Sequence, residues 1–395
     1  MSSGRNGPGL RSDFMPATRT AVAALAVALV ALVALVAASC ASNNSRARTS
    51  DTSMRVATGE PFPVDRCAAN RAAGTVVYRS GFGFAASASI VDVLVAEQKG
   101  YFANLCLDVE IVASDAAANY APVADNTAQF ASAGSFNDVI GYRHTHPDAG
   151  LVVLAVEGQT SIDSLVVKEG AATTLSDLRG TTIGVKGSLP ASVRAMLAKA
   201  GLREGTDFDI TVLDGHDPEL HIADPGIVGF PVFQSTEPGQ LDRAGIDHIE
   251  FDPADDAIPG TFGIIYTNAS FLDEHPTAAQ DFMRATMLGL ADAVADPSAA
   301  SMIALDFIAN SGNAGGLSAD TEAFRWQTES GLVVESTPRD GALGLPVLER
   351  LEDEVRTYAG IGFYDGDTPD ISDAVDADVL AGIYGSDRQV IWPSE

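Results

Sequence analysis

Basic residues are scarce in this chain: 24 Lys and Arg face 53 Asp and Glu over 395 residues, a net charge of −29. So acidic a surface repels phosphate backbones and anionic headgroups, which excludes nucleic acid as a partner. Cysteine is scarce as well. Three in the whole chain are too few for a disulfide scaffold or a cysteine-rich metal site. Neither Gly-x-Ser-x-Gly nor His-Glu-x-x-His occurs, so serine-hydrolase and zinc-protease chemistry has no support. Histidine, with six copies, does not fill the gap. His144 and His146 lie in a polar stretch from Tyr142 to Asp148 without cysteine or carboxylate at ligand spacing, and read as solvated loop residues. No catalytic residue, metal site or cofactor is expected.

Long hydrophobic runs are limited to one. Arg19 precedes an apolar segment of Ala, Val and Leu from Ala21 to Ala38, which reads as a targeting segment and not as part of the fold. Ala37-Ala-Ser-Cys40 resembles a bacterial lipobox, in which the cysteine is lipidated after cleavage, although Ala37 stands where Leu is usual. A cleaved secretory leader and an uncleaved anchor are the alternatives. The favoured reading makes residues 1–39 a lipoprotein signal peptide and Cys40 the lipidation site. It makes residues 40–69 a flexible tether and places the protein outside the cytosol on the cell membrane. The part after residue 39 is more acidic still, with 21 basic against 52 acidic residues. Setting Cys40 aside leaves Cys67 and Cys106. In an exported chain they are expected to pair, two buried free thiols being the alternative.

What is present is an alternation of strand and helix signals. Thr75 to Tyr78 alternates like a half-buried strand, and Gly81-Phe-Gly-Phe84 follows as a loop. A helix carries Ile90, Val91, Leu94 and Val95 on one face and stops at Gly100, and Leu107 to Ile111 alternates again. Further strands are predicted at Gln129–Gly134, Leu151–Val156, Ser164–Lys168, Thr182–Lys186, Asp209–Leu213, Gly226–Phe230 and Phe262–Thr267. The class is α/β, with ligands expected at the carboxyl ends of strands. From Phe271 onward the pattern is mostly helical, and past Ala359 it weakens into an acidic stretch read as a surface tail.

Gly81-Phe-Gly-Phe-Ala-Ala86 matches the dinucleotide pattern in outline, but Glu110 comes 27 positions after Gly83, further than that motif places its acid. A loop for another small molecule is the better reading. Phe233 and Phe262, like Phe82, Phe84, Tyr120, Phe136 and Phe230, sit in loops at predicted strand ends and suggest flat walls for a heterocycle, the last five being taken as candidate contacts. With them, Gly81, Ser135, Glu157, Ser188 and Glu237 are the candidate ligand-binding residues. Nearby cations are few, chiefly Arg79 and Lys186, so a neutral or cationic ring suits the loops better than a small anion.

Three segments carry a family resemblance: LVAEQKGYFANLCLDVEIV from Leu94, LVVKEGAATTLSDLRGTTIGVKGS from Leu165, and NASFLDEHPTAAQDFMRATMLGLADAVADP from Asn268. Together they resemble the solute-binding proteins of ABC importers in the nitrate, sulfonate, taurine and thiamine-pyrimidine group, relatives of the fungal pyrimidine synthases. The resemblance implies a two-lobed periplasmic-binding-protein fold of type II, each lobe a mostly parallel sheet flanked by helices, joined by a strand hinge. Lobe one would comprise 70–160 and 260–395, and lobe two 161–259. It implies a non-enzymatic monomer that closes on a small-molecule solute and delivers it to membrane permease subunits. A thiamine-type pyrimidine precursor is the first expectation and a flavin the second. A nitrate, sulfonate or taurine binder and an extracytoplasmic pyrimidine-synthase-like enzyme are the alternatives. Cys106 stands where the family usually has Gly, the synthases' cysteine-rich motif is absent, and Gly226–Pro231 lacks a common Asp-Ala.

Overall fold

The computed structural model describes residues 52–311 and 317–394; residues 1–39, read above as a signal peptide, and Cys40 lie outside them. Ten strands follow in chain order: β1 Thr75–Arg79, β2 Asp108–Val112, β3 Phe130–Ala133, β4 Leu151–Gly158, β5 Asp163–Lys168, β6 Thr182–Val185, β7 Asp209–Val212, β8 Gly229–Phe233, β9 His248–Phe251 and β10 Phe262–Asn268. They form two five-stranded sheets, ordered β2-β1-β3-β10-β4 and β7-β6-β8-β5-β9. β1 pairs in parallel with β2, Thr75 opposite Asp108, while β10 runs antiparallel between β3 and β4. β5 is reversed in the same way between β8 and β9. In each sheet the reversed strand is the one that receives the chain arriving from the other sheet. The two crossings lie side by side, since a Cβ on Gly260 would fall 2.9 Å from Ser161 Cα.

The first crossover unit forms as its pattern requires. Val76 and Tyr78 turn inward from β1, and the Val91–Gln98 helix follows the loop. That helix is buried from Val91 through Ala96 and not along one stripe, because the Pro276–Ala295 and Pro297–Ser311 helices both pack on it. Gly289 permits the close approach: a Cβ there would lie 2.2 Å from Asp92 O. Phe282, from the same long helix, stacks on Phe130 with ring centroids 4.0 Å apart and on Phe102 at 5.1 Å.

Two expectations need correction. The predicted tether ends earlier than residue 69, because Val64–Ala72 is a helix docked on the first sheet's helices. Arg66 donates to Asp281 through Nε at 2.6 Å and Nη2 at 2.9 Å, and Asn70 Nδ2 reaches the same carboxylate at 2.8 Å. Arg284 Nε adds a bond at 3.0 Å, and a disulfide joins Cys67 to Cys106 across 39 positions. Short polar helices of this kind carry little apolar periodicity, so composition alone suggested a tether. The acidic stretch past Ala359 is likewise no surface tail. Tyr364, Ile371, Ala374, Val379, Leu380 and Ile383 are buried, and residues 374–376 bond to Val153 along the edge of β4.

Asp281 is fully buried and serves two guanidinium groups. Asp281→Ala is therefore expected to lower unfolding free energy by about 3–5 kcal/mol in denaturant titration, the cost of leaving buried charge uncompensated. A loss below about 1 kcal/mol would mean that this pair does not hold the Val64–Ala72 helix in place.

Candidate functional site

The loop between β1 and the Val91–Gln98 helix lies at the carboxyl end of the first sheet. Gly263, at φ +65°, lets it settle on β10, for a Cβ there would come within 2.5 Å of Ala88 Cβ. Tyr78 donates its hydroxyl to Ser89 O, holding Ser89 in the left-handed region at φ 60°. The loop's backbone donors are then taken one by one by carboxylates. Ala86 N–H donates to Glu322 Oε2 at 2.7 Å, Ala88 N–H to Glu329 Oε2 at 2.7 Å and Ser89 N–H to Glu157 Oε2 at 2.9 Å. Glu329 also accepts from Ser87 Oγ at 2.7 Å and, through Oε1, from Ser235 Oγ at 2.8 Å, so one carboxylate links loops of both sheets. Arg325, on the same Ala319–Ser336 helix, donates to Thr236 Oγ1 at 2.8 Å and lies 5.3 Å over the Phe82 ring.

Beneath this layer Glu157 meets Asp92. Both are fully buried, and among the described residues no other donor reaches Glu157 Oε1 or either Asp92 oxygen. Burial raises both carboxyls; the Asp92 charge raises Glu157 further, while the hydrogen bond from Glu157 pulls Asp92 back down, so the pair's proton stays on Glu157. A second carboxylate sits at the Phe136–Thr145 helix. Asn137 N–H donates to Glu354 Oε1 at 3.3 Å and Phe136 N–H to Thr261 Oγ1 at 2.9 Å. Burial pushes Glu354 up to about 8, against those bonds, which favour the charged form.

The sequence-derived candidates separate into two groups. Phe82 is 51 % exposed beside Arg325, Gly81 adjoins it, and Ser135 and Ser188 are open to the surface around the strand ends. Glu157 is within the site but below its surface. Glu237 accepts from Lys186 Nζ at 2.6 Å and from Phe233 N–H at 2.9 Å, which fixes the turn after β8. By contrast Tyr120, Phe136 and Phe230 are core residues: Tyr120 stacks on Tyr142 at 4.7 Å, and Phe230 meets the edge of His221. Phe84 turns to Phe307 at 5.6 Å and supports the loop from behind. Phe230 is turned inward by the alternation of β8, whereas Tyr120 and Phe136 are buried at the starts of the Tyr120–Ala124 and Phe136–Thr145 helices. Phe233 is the half-exposed aromatic on the second sheet, and its carbonyl accepts from Thr236 N–H, next to Arg325.

Glu322, Arg325 and Glu329 were missed. The signal was there: positions i, i+3 and i+7 place them on the helix face that also buries Trp326 and Val333, where a charged stripe needs partners.

A carboxyl held neutral by burial stabilises the fold fully below its ordinary pKa and loses that contribution as pH rises through the folded value. For Glu354 the window runs from 4.5 to about 8. Glu354→Gln is expected to flatten the decline of unfolding free energy across that window in denaturant titrations; a decline parallel to wild type would contradict the assignment.

The NMT1/THI5-like family model matches residues 87–300, more than half of the chain. The riboflavin-binding protein RibY of Chloroflexus aurantiacus is 30 % identical over 135 residues, 34 % of this chain and 38 % of its own length. This chain thus matches well under half of that curated relative. The aliphatic sulphonate-binding protein SsuA of Escherichia coli superposes with a TM-score of 0.56 at 15 % identity, covering 76 % of this chain and 92 % of SsuA. The periplasmic sulfonate-binding protein SsuA of Methylobacillus flagellatus gives 0.55 at 16 % identity, with 78 % and 92 % covered. At such identities the likeness is one of fold. Two mixed sheets joined by paired crossings, together with the family match, place this chain in the NMT1/THI5-like family, on the two-lobed fold of periplasmic solute-binding proteins.

Proposed function

We propose that this protein is the solute-capturing component of an ABC importer, held outside the cytosol by a lipidated Cys40, and that its solute is a small aromatic heterocycle. The observation that carries the ring assignment is the pair Phe82 and Phe233. Each is 51 % exposed, they stand at the carboxyl ends of β1 and β8 on different sheets, and Arg325, over the Phe82 ring, donates to Thr236, three residues after Phe233. Two aromatic faces on opposing lobes form a slot for a flat ring, which stacking and burial would hold. Lobe one would comprise 70–160 with 260–395 and lobe two 161–259, the crossings near Ser161–Asp163 and Pro259–Phe262 acting as the hinge.

In this reading a solute that touches both lobes favours the closed form by the difference in its affinity for the two forms, and the permease reads that form. A thiamine-type pyrimidine precursor stays the first candidate. The partial match to a riboflavin-binding protein supports a flavin as the second.

Mass spectrometry of small molecules released from the denatured, freshly purified protein is expected to detect a heterocycle; a linear sulfonate in that fraction would overturn the ring assignment. Phe82→Ala is expected to weaken binding of that solute by about 1 kcal/mol, about fivefold, in calorimetric titration. Unchanged affinity would move the slot away from β1.

A further inference from the structure

Backbone N–H groups just ahead of a helix make a ready cradle for an anion, since the positive end of the helix dipole adds to them. The 85–90 loop has that geometry, and its donors are already taken. Glu322, Glu329 and Glu157 accept from Ala86, Ala88 and Ser89 at 2.7–2.9 Å, all three carboxylates being at most 3 % exposed. At the next helix, Thr261 and Glu354 occupy the donors of Phe136 and Asn137. An incoming sulfonate or nitrate would have to displace these carboxylates and then lie beside them, with the negative charge of the Asp92–Glu157 pair close below.

Arg325, the cation over Phe82, is not free to compensate. Arg325 Nε lies 3.4 Å from Glu322 Oε1, and burial raises the Glu329 carboxyl while the Arg325 charge pulls it back down, so this guanidinium is already engaged by carboxyl groups. What the cleft does hold is a planar cation stacked over Phe82 with a carboxylate at its edge. That arrangement shows which charge these surroundings accommodate.

We infer that Glu322 and Glu329, with the Asp92–Glu157 pair beneath them, set the charge selectivity of the cleft: it accepts neutral or cationic ring solutes and refuses sulfonate-type and nitrate anions. This rests on the solute-capture reading above and narrows its ligand class.

The test is calorimetric titration and thermal melting of the purified, leader-free chain with thiamine, an aminopyrimidine and riboflavin as ring probes, and ethanesulfonate, taurine and nitrate as the others. The expected result is binding of at least one ring probe at least about tenfold tighter than any of the other three. Replacing Glu322 and Glu329 together by Ala uncovers the loop donors and leaves Arg325 charged. Ethanesulfonate binding is then expected to strengthen about tenfold or more over wild type. A wild-type chain that binds ethanesulfonate or nitrate as tightly as the rings would overturn the charge selectivity and leave solute capture standing. No gain of ethanesulfonate binding in a folded Glu322→Ala/Glu329→Ala chain would also overturn it. If no probe of either class raises the melting temperature, solute capture fails and this inference falls with it.

Discussion

One buried carboxylate ties loops of the two sheets together. Glu329 accepts from Ser87 and Ala88 in the loop after β1 and from Ser235 in the turn after β8. Those two turns belong to different sheets, and the helix that carries Glu329 comes late in the chain, more than 240 residues after the loop it caps. Its cost is high, because burying a carboxylate is tolerated only when several donors meet it. Here three do, and the constraint fixes the loop, the turn and the Ala319–Ser336 helix in one arrangement. Arg325 and Glu322, on the same face, extend it to Thr236 and Ala86.

This arrangement explains why the family's fold carries a particular chemistry in this chain. The sheets supply loops whose amides would suit an anion, and the C-terminal helices supply the glutamates that occupy them. Glu354 repeats the device at the Phe136–Thr145 helix. The fold leaves those amides available in principle; the late helices decide what they meet. The Leu348–Gly360 helix also reaches the crossing between the sheets, where Tyr358 donates to Pro259 O at 2.8 Å.

Local patterns in the sequence foretold what local forces decide. The strand-loop-helix-strand unit from Thr75, the continuous apolar run of β4 and the Glu237–Ala244 helix closed by left-handed Gly245 all formed where alternation, burial and capping placed them. The family segments led to the two sheets and their crossings. The misses are non-local. Whether an aromatic at a strand end faces solvent or core depends on register and on what packs over it: on β8 register turned Phe230 inward and left Phe233 exposed, and packing at the start of its helix buried Phe136. The Val64–Ala72 helix owes its place to Asp281 and Cys106, and the segment after Ala359 to the edge of β4. No window of neighbouring residues contains those partners.

The most direct test of the account is a crystal structure of the protein with its co-purified solute. The account predicts a ring between Phe82 and Phe233, with Ala86, Ala88 and Ser89 still donating to Glu322, Glu329 and Glu157. A solute whose anionic oxygens sit on those three N–H groups, with the glutamates swung away, would contradict it.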